Sequence, residues 1–310
     1  MSHPLKDIAV VLVNYNTSEY TLQCINSIVS QVSPKLNYSI IVVDNNSRQE
    51  ELKKLEALEG MDTVAIIKLP MNSGFSSANK AGMEITSARY YYFLNNDTEL
   101  ENDALDILYE FMEKHPEAGI SSGQMYHADG SIGININYFP DLWLKFLGSG
   151  FLRVFSPGKY PKKGIPYVAP VKVPLLNGSS LFIRKKALDE AGGFDTEFFL
   201  YCEEEDLALR MKKKGYACYL VPEARYTHYE GKSSIRDEGI NYLMLREFYI
   251  SQHYLYQKHY GRFAAFVWRV SQFFRTFRKC YIHQDYVKLA FFILWHPNKK
   301  YSLRHQQTIR

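Results

Sequence analysis

Short apolar runs alternate with helical segments along the first 125 residues of this chain, and no other feature limits the possible folds as strongly. Residues 8–13 are continuously apolar; 39–43, 64–69 and 90–94 are largely so. Each run is too short for a helix and is bounded by turn residues, so each reads as a strand, the first two of them buried. Between them, 18–32 carries Leu22, Ile25, Ile28, Val29 and Val32 on one helical face, 49–58 is a charged surface helix, and 76–86 has helical character. A further helix is predicted over 102–115 and a short strand over 119–123. This rhythm predicts an α/β domain, a mainly parallel central sheet covered by helices on both faces, Rossmann-like in outline.

In open sheets of this kind ligands bind beyond the carboxyl ends of the strands. Polar residues gather there: Asn14, Tyr15 and Asn16, then Asp44, Asn72, Asn95 and Asp97. A single Asn or Asp in such a place caps a helix or makes a turn, and Asn45-Asn46-Ser47 reads that way in isolation. Repetition at successive strand ends is what points to a site. No GxGxxG follows the first strand, and the chain has neither GxxxxGK[ST] nor GxSxG. These absences argue against a dinucleotide-binding, P-loop or hydrolase-elbow site.

The stretch 192–215 reads GGFDTEFFLYCEEEDLALRMKKKG. Glu203, Glu204, Glu205 and Asp206 fall in the first turn of a helix that leaves an aromatic run and stops at Gly215. Acids in a first turn favour the helix dipole and need no further role when solvated. The aromatic run supports a second reading, in which an acid sits at the lip of a buried site. Partial burial raises a carboxyl pKa toward the range of a general base.

The 310 residues suffice for one large domain or two modest ones, and 46% hydrophobic with 23% charged content is ordinary for a folded protein. Cys24, Cys202, Cys218 and Cys280 lie far apart, so neither a disulfide framework nor a zinc site is expected, and a reducing compartment fits. The start, MSHPLKDIAVVLV, lacks a signal peptide's charged beginning and cleavage site, and no apolar run is long enough to span a bilayer.

Charge divides the chain unevenly. Of 37 basic and 33 acidic residues, 12 and 2 fall within 240–310, so a cationic, aromatic tail follows a net acidic body. The expected division is a main α/β domain over 1–238 and a basic helical extension over 239–310. Within 262–279, Phe263, Phe266, Val267, Val270, Phe273, Phe274 and Phe277 share a helical face edged by Arg262, Arg269, Arg275 and Arg278, and 289–295 is a second apolar patch. Arginines beside an apolar stripe can snorkel at a membrane surface. The alternatives are a helical cap packed on the body and a homodimer surface. No nucleic-acid motif accompanies the charge, so no nucleic-acid partner is expected. The irregular loop 138–171, rich in proline and aromatics, reads equally as a lid and as a packed insertion.

Seven segments in order carry a family resemblance: VVLVNYN at 10–16, VVDNNS at 42–47, NSGFSSANKAG at 72–82, FLNNDTEL at 93–100, NGSSLFIRKKAL at 177–188, GGFDTEFFLYCEEEDLALRMKKKGY at 192–216 and HYEGKSS at 228–234. The chain resembles the inverting nucleotide-sugar glycosyltransferases of family 2, with the GT-A fold, on their rhamnosyltransferase-like branch. The resemblance implies that Asp44 holds the nucleoside beside the turn of Val13, Asn14, Tyr15 and Asn16. It implies that Asn72, Gly74 and Asn79 line the nucleotide pocket, with Asn95, Asn96 and Gly178 also on the donor. Asp97 stands at the family's DxD or NxD position and His228 at its HxxGxS histidine, which makes them metal ligands. Glu204 occupies the catalytic-base position, with Glu203 and Asp206 as neighbouring acids.

That constellation meets the needs of glycosyl transfer. A leaving diphosphate gains charge that Mg2+ or Mn2+ can neutralise, and the acceptor hydroxyl needs a base within hydrogen-bond reach. The expected enzyme moves a sugar, with dTDP-L-rhamnose as the favoured donor, to a saccharide or lipid-linked saccharide in cell-surface polysaccharide synthesis. It would work in the cytoplasm, peripheral at the inner face of the cell membrane. The alternatives are a UDP-hexose or UDP-galactofuranose donor, and a non-catalytic GT-A scaffold that binds saccharide or membrane.

Overall fold

The computed structural model describes residues 5–140, 142–229, 241–295 and 297–307. The boundary expected at 238/239 and positions 230–234 of the HYEGKSS segment lie outside the described residues.

The predicted alternation is present: β1 (Lys6–Asn14), α1 (Ser18–Gln31), β2 (Tyr38–Asp44), α2 (Gln49–Lys54), β3 (Val64–Lys68), α3 (Phe75–Met83) and β4 (Ala88–Asn95). A short β5 (Thr98–Leu100), α4 (Ala104–Lys114), β6 (Ala118–Tyr126) and β7 (Ile136–Asn137) follow. Next come α5 (Leu142–Phe155), β8 (Val171–Val173), β9 (Leu175–Leu176), β10 (Ser180–Arg184), α6 (Lys185–Ala191), α7 (Glu203–Lys213) and β11 (Ala217–His228). The C-terminal part is α8 (Tyr242–Phe277) and α9 (Asp285–Trp295).

The main sheet runs β3-β2-β1-β4-β10-β6-β11-β5, with β8 also on β11. Strands β3, β2, β1 and β4 are parallel, as the crossover helices require. Antiparallel β10 then separates β4 from β6, so the sheet is mixed. Burial on both faces explains the apolar runs of β1, β2 and β4, while β3, at the sheet edge, is only half-buried. Ile8, Val10 and Leu12 of β1 pack with Ile25 and Ile28 of α1 and Leu108 of α4. The alternate residues Ala9 and Val11 pack on the other side with Ala78 of α3 and Leu188 of α6.

The tail folds back on this body. Helix α8 is broken at Gly261 (φ 85°, ψ 171°), a conformation open to glycine, and its second half begins where the sequence predicted a helix. Trp268, 1% exposed, packs with Tyr256 and Ala265 across that break. The first half docks on the body: Leu255 packs with Phe198 and Cys202, Ser251 Oγ donates to the Leu200 carbonyl at 2.7 Å, and Lys258 pairs with Asp195 at 2.7 Å. The second half, the turn after it and α9 leave Phe263, Phe274, Tyr281, Ile282 and Trp295 exposed. Arg269, expected at the edge of the stripe, instead directs its guanidinium to the Leu294 carbonyl. The loop 138–171 is partly ordered by α5, which exposes Phe151, Val154 and Phe155, while Tyr160 is buried. Among the described residues no helix is long and apolar enough to cross a membrane.

Candidate active site

A cleft of about 690 Å³ opens at the carboxyl ends of the parallel strands. Of the residues singled out in the sequence, it is lined by Val13, Tyr15, Asn72, Gly74, Asn95, Asn96, Asp97, Gly178, Glu203, Glu204 and His228.

Asp97 and His228 are 131 residues apart in sequence, and strand pairing joins them. The β5–β11 register sets Thr98 opposite His228, the last residue of β11, and the Tyr229 amide donates to the Asp97 carbonyl at 2.9 Å. His228 Nε2 therefore lies 3.1 Å from Asp97 Oδ1 and 3.4 Å from Asn95 Nδ2, with both side chains buried. Among the described residues no three His, Cys, Asp or Glu side chains cluster as a metal-binding group. One carboxylate and one imidazole facing a cleft nonetheless suit a divalent cation that takes its remaining ligands from substrate oxygens and water.

The acids at the head of α7 owe their position to an unusual backbone. Tyr201 and Cys202 both adopt positive φ, 71° and 66°. Such conformations cost of order 1–3 kcal/mol each and persist only where the surroundings impose them. Here the Phe75 amide bonds the Phe199 carbonyl, Ser251 bonds that of Leu200, and the Tyr201 ring meets Phe248 edge-on. The turn delivers Glu203 and Glu204 to the cleft. Glu203 is buried, its Oε2 has no hydrogen-bond partner among the described residues, and burial with the Glu204 charge pushes its carboxyl well above the usual range. Burial also raises Glu204, which is half-buried against Gly178: a Cβ added there would touch its Cδ at 3.5 Å. Glu205 is pushed up to about 8 by burial and by the charges of Glu204 and Asp206.

Asp206 faces the other way. It is fully buried, and burial alone would raise it. His259 at 2.7 Å, with Arg210 and Lys258 at 2.6 Å, overcomes that penalty and holds the carboxyl at about 2. Asp206, a candidate acid by sequence, thus has its oxygens engaged where α7 meets α8 and does not line the cleft.

Four other sequence candidates also lie off the lining. Asn14 Nδ2 bonds Asp44 Oδ1 at 2.9 Å, and Asp44 Oδ2 accepts the Ser47 amide at 3.0 Å, so this pair fastens the ends of β1 and β2 together. Asn16, at φ 58°, accepts the Arg48 amide. Asn79 is buried in α3, and its amide has no hydrogen-bond partner among the described residues. The cleft position beside Asp44 belongs to Asn45, which holds Asn72 Oδ1 at 3.0 Å and accepts the Ser73 amide at 2.9 Å. Sequence reasoning treated Asn45 as a turn residue; its place one step beyond a strand end was the available signal. Thr17, Leu200, Tyr201 and five tail residues were missed as well.

The sheet, cleft and acid-headed helix define a GT-A glycosyltransferase fold. Among solved structures, the chain resembles GalNAc-T7 crystallised with UDP, GalNAc and Mn2+ (TM-score 0.58, 16% identity, 82% of this chain and 50% of that one). It also resembles S. aureus TarS (TM-score 0.52, 15% identity, 79% and 39%). The family model for glycosyl transferase family 2 matches residues 9–192, and the chain belongs to that family. Its curated relatives include an N-acetylglucosaminyl-diphospho-decaprenol L-rhamnosyltransferase of Mycobacterium tuberculosis, 29% identical over 46% of this chain and 48% of the relative. Another is the dTDP-rhamnosyl transferase RfbF of Shigella flexneri, 23% identical over 76% of this chain and 73% of that protein. The chain thus spans about half the length of the first of these relatives.

Proposed function

We propose that the protein is an inverting, metal-dependent glycosyltransferase that moves a sugar from a nucleoside-diphosphate donor to a saccharide or lipid-linked saccharide in cell-surface polysaccharide synthesis. One observation carries this reading: the Asp97–His228 pair and the Glu203–Glu204 helix head line the same cleft. In the proposed reaction Glu204 accepts the proton of an acceptor hydroxyl, whose oxygen forms a bond to the anomeric carbon. The bond from that carbon to the diphosphate oxygen breaks on the opposite face, which inverts the centre. Asp97 and His228 would hold Mg2+ or Mn2+, which supplies charge neutralisation for the departing diphosphate. Val13, Tyr15, Asn45 and Asn72, which line the cleft, would take the nucleoside.

Two relatives named as rhamnosyltransferases support dTDP-L-rhamnose as the donor. A poly(ribitol-phosphate) β-N-acetylglucosaminyltransferase among the relatives supports the UDP-sugar alternative. Donor hydrolysis across dTDP-L-rhamnose, UDP-galactofuranose, UDP-glucose and UDP-N-acetylglucosamine separates them. Hydrolysis of none, with or without Mn2+, would defeat the catalytic reading in favour of a saccharide-binding scaffold.

The exposed aromatics of the tail lie among exposed Arg262, Arg275, Arg278 and Lys279. That combination supports peripheral attachment to an anionic bilayer, the surface where a lipid-linked acceptor resides.

A further inference from the structure

The C-terminal extension reaches the cleft itself. Asn241 and the first turn of α8, through Leu243 and Met244, join Leu303 and Gln307 in its lining. We propose that these five residues form the acceptor subsite, taking a neutral sugar ring with an apolar aglycone, and that Glu247 is the positioning residue that holds the subsite together. This rests on the glycosyltransferase reading above.

Three observations carry the proposal. The first is attachment. Glu247, 1% exposed in α8, accepts Ser302 Oγ and the Leu303 amide, both at 2.8 Å. One buried carboxyl thereby fastens the segment at 302–307 to the helix that also bears Leu243 and Met244. The second is the side of the cleft. Arg304 donates to the Thr196 carbonyl and its guanidinium lies 6.0 Å from the Phe199 ring, while Ser251 and Phe248 of α8 engage Leu200 and Tyr201. The wall is therefore built onto the loop that leads into Glu203 and Glu204. A hydroxyl that must reach the base enters on that side.

The third is chemistry. Among these five wall residues there is no charged side chain, which ill suits a diphosphate and suits a neutral sugar. Leu243, Met244 and Leu303 offer an apolar surface for the C–H face of a ring or for an alkyl aglycone. Asn241 Oδ1 caps α8 by accepting the Met244 amide, and Gln307 Nε2 donates to the Leu303 carbonyl. That leaves Asn241 Nδ2 as a donor and Gln307 Oε1 as an acceptor for sugar hydroxyls.

The test uses the full chain, the nucleotide sugar it hydrolyses and a panel of decyl glycosides as acceptors. Leu303→Trp, which fills the wall, and Gln307→Ala, which removes a polar partner, are expected to raise acceptor KM by about 10-fold or more, against a much smaller rise in donor KM. Glu247→Ala should show the same split, and Glu247→Gln, which keeps one acceptor oxygen, should recover part of it. A rise in donor KM equal to that in acceptor KM would assign the wall to the donor and overturn the proposal. Unchanged acceptor KM in all variants would overturn it too, as would a wild type that hydrolyses donor yet glycosylates no member of the panel. A wild type that hydrolyses no nucleotide sugar sinks the parent reading instead, a result distinguishable from the others.

Discussion

The Phe75 amide donates to the Phe199 carbonyl at 2.7 Å, tying the start of α3 to the loop that leads into the acids of α7. Gly74, at φ 82°, makes the approach possible: a Cβ there would lie 2.3 Å from that carbonyl oxygen. Gly74→Ala adds a backbone clash to an unfavourable φ, and a loss of about 2 kcal/mol or more in stability is expected, with reduced turnover. Gly178→Ala, whose Cβ meets Glu204 at an ordinary 3.5 Å, is the folding control. Equal melting temperatures for the two variants would contradict the argument.

Glu204→Gln should fold normally and lose about 10²-fold or more in kcat, the scale of general-base catalysis. A base works when ionised, and burial raises the Glu204 pKa. Wild-type turnover should therefore fall on acidification at a pH above the ordinary glutamate value of about 4.3. That limb should vanish in Glu204→Gln. If Glu203→Gln removes the limb instead, the base is Glu203.

EDTA should abolish transfer, and Mn2+ or Mg2+ should restore it. Asp97→Ala should be nearly inactive at any metal concentration, and His228→Ala should need more metal for half-maximal rate. Full turnover in EDTA would remove the metal from the mechanism.

Asp206→Asn should act on stability. The folded-state carboxyl is held at about 2, below an unfolded value of about 3.9. Its contribution is thus fully present above about pH 4 and is lost as pH falls toward 2. Breaking a buried ion cluster costs about 3–5 kcal/mol, so the variant should melt well below wild type at pH 7. The gap should narrow below pH 4; a gap that persists undiminished at pH 2 would mean the charge is not its source.

Membrane attachment through the tail would draw on its exposed cations. Arg262→Glu with Arg275→Glu leaves Arg269 and its Leu294 contact intact. The double variant should float less with anionic liposomes, each arginine being worth about 1 kcal/mol near the surface, and wild-type binding should weaken in high salt. Flotation equal to wild type would discard the membrane reading, and a changed elution volume would favour a dimer surface.

The alternation of apolar runs marked β1, β2, β3 and β4 as strands of a mainly parallel sheet, because a central parallel strand such as β1 or β2 is covered on both faces and has few polar positions to spare, whereas their order in the sheet came only from the tertiary structure. It also determined which loops carry the site, since strand ends of such a sheet converge. The acid-headed helix was legible for a similar reason, a first turn of acids after an aromatic run. Antiparallel β10 was not legible: its five residues, SLFIR, offer too short a pattern to choose a neighbour. Nor could sequence separate Glu203 and Glu204 from Asp206. All four acids share one turn, and the approach of Lys258 and His259 from α8, with Arg210 of α7, commits Asp206 to the helix contact. The same holds for Asp44 and Asn45, where the end of β2 turns the aspartate to Asn14 and Ser47 and leaves the asparagine to the cleft. The tail's share of the cleft was least visible of all. Leu303 and Gln307 reach it through Glu247, a contact spanning more than fifty positions, and local periodicity holds no information about contacts that long.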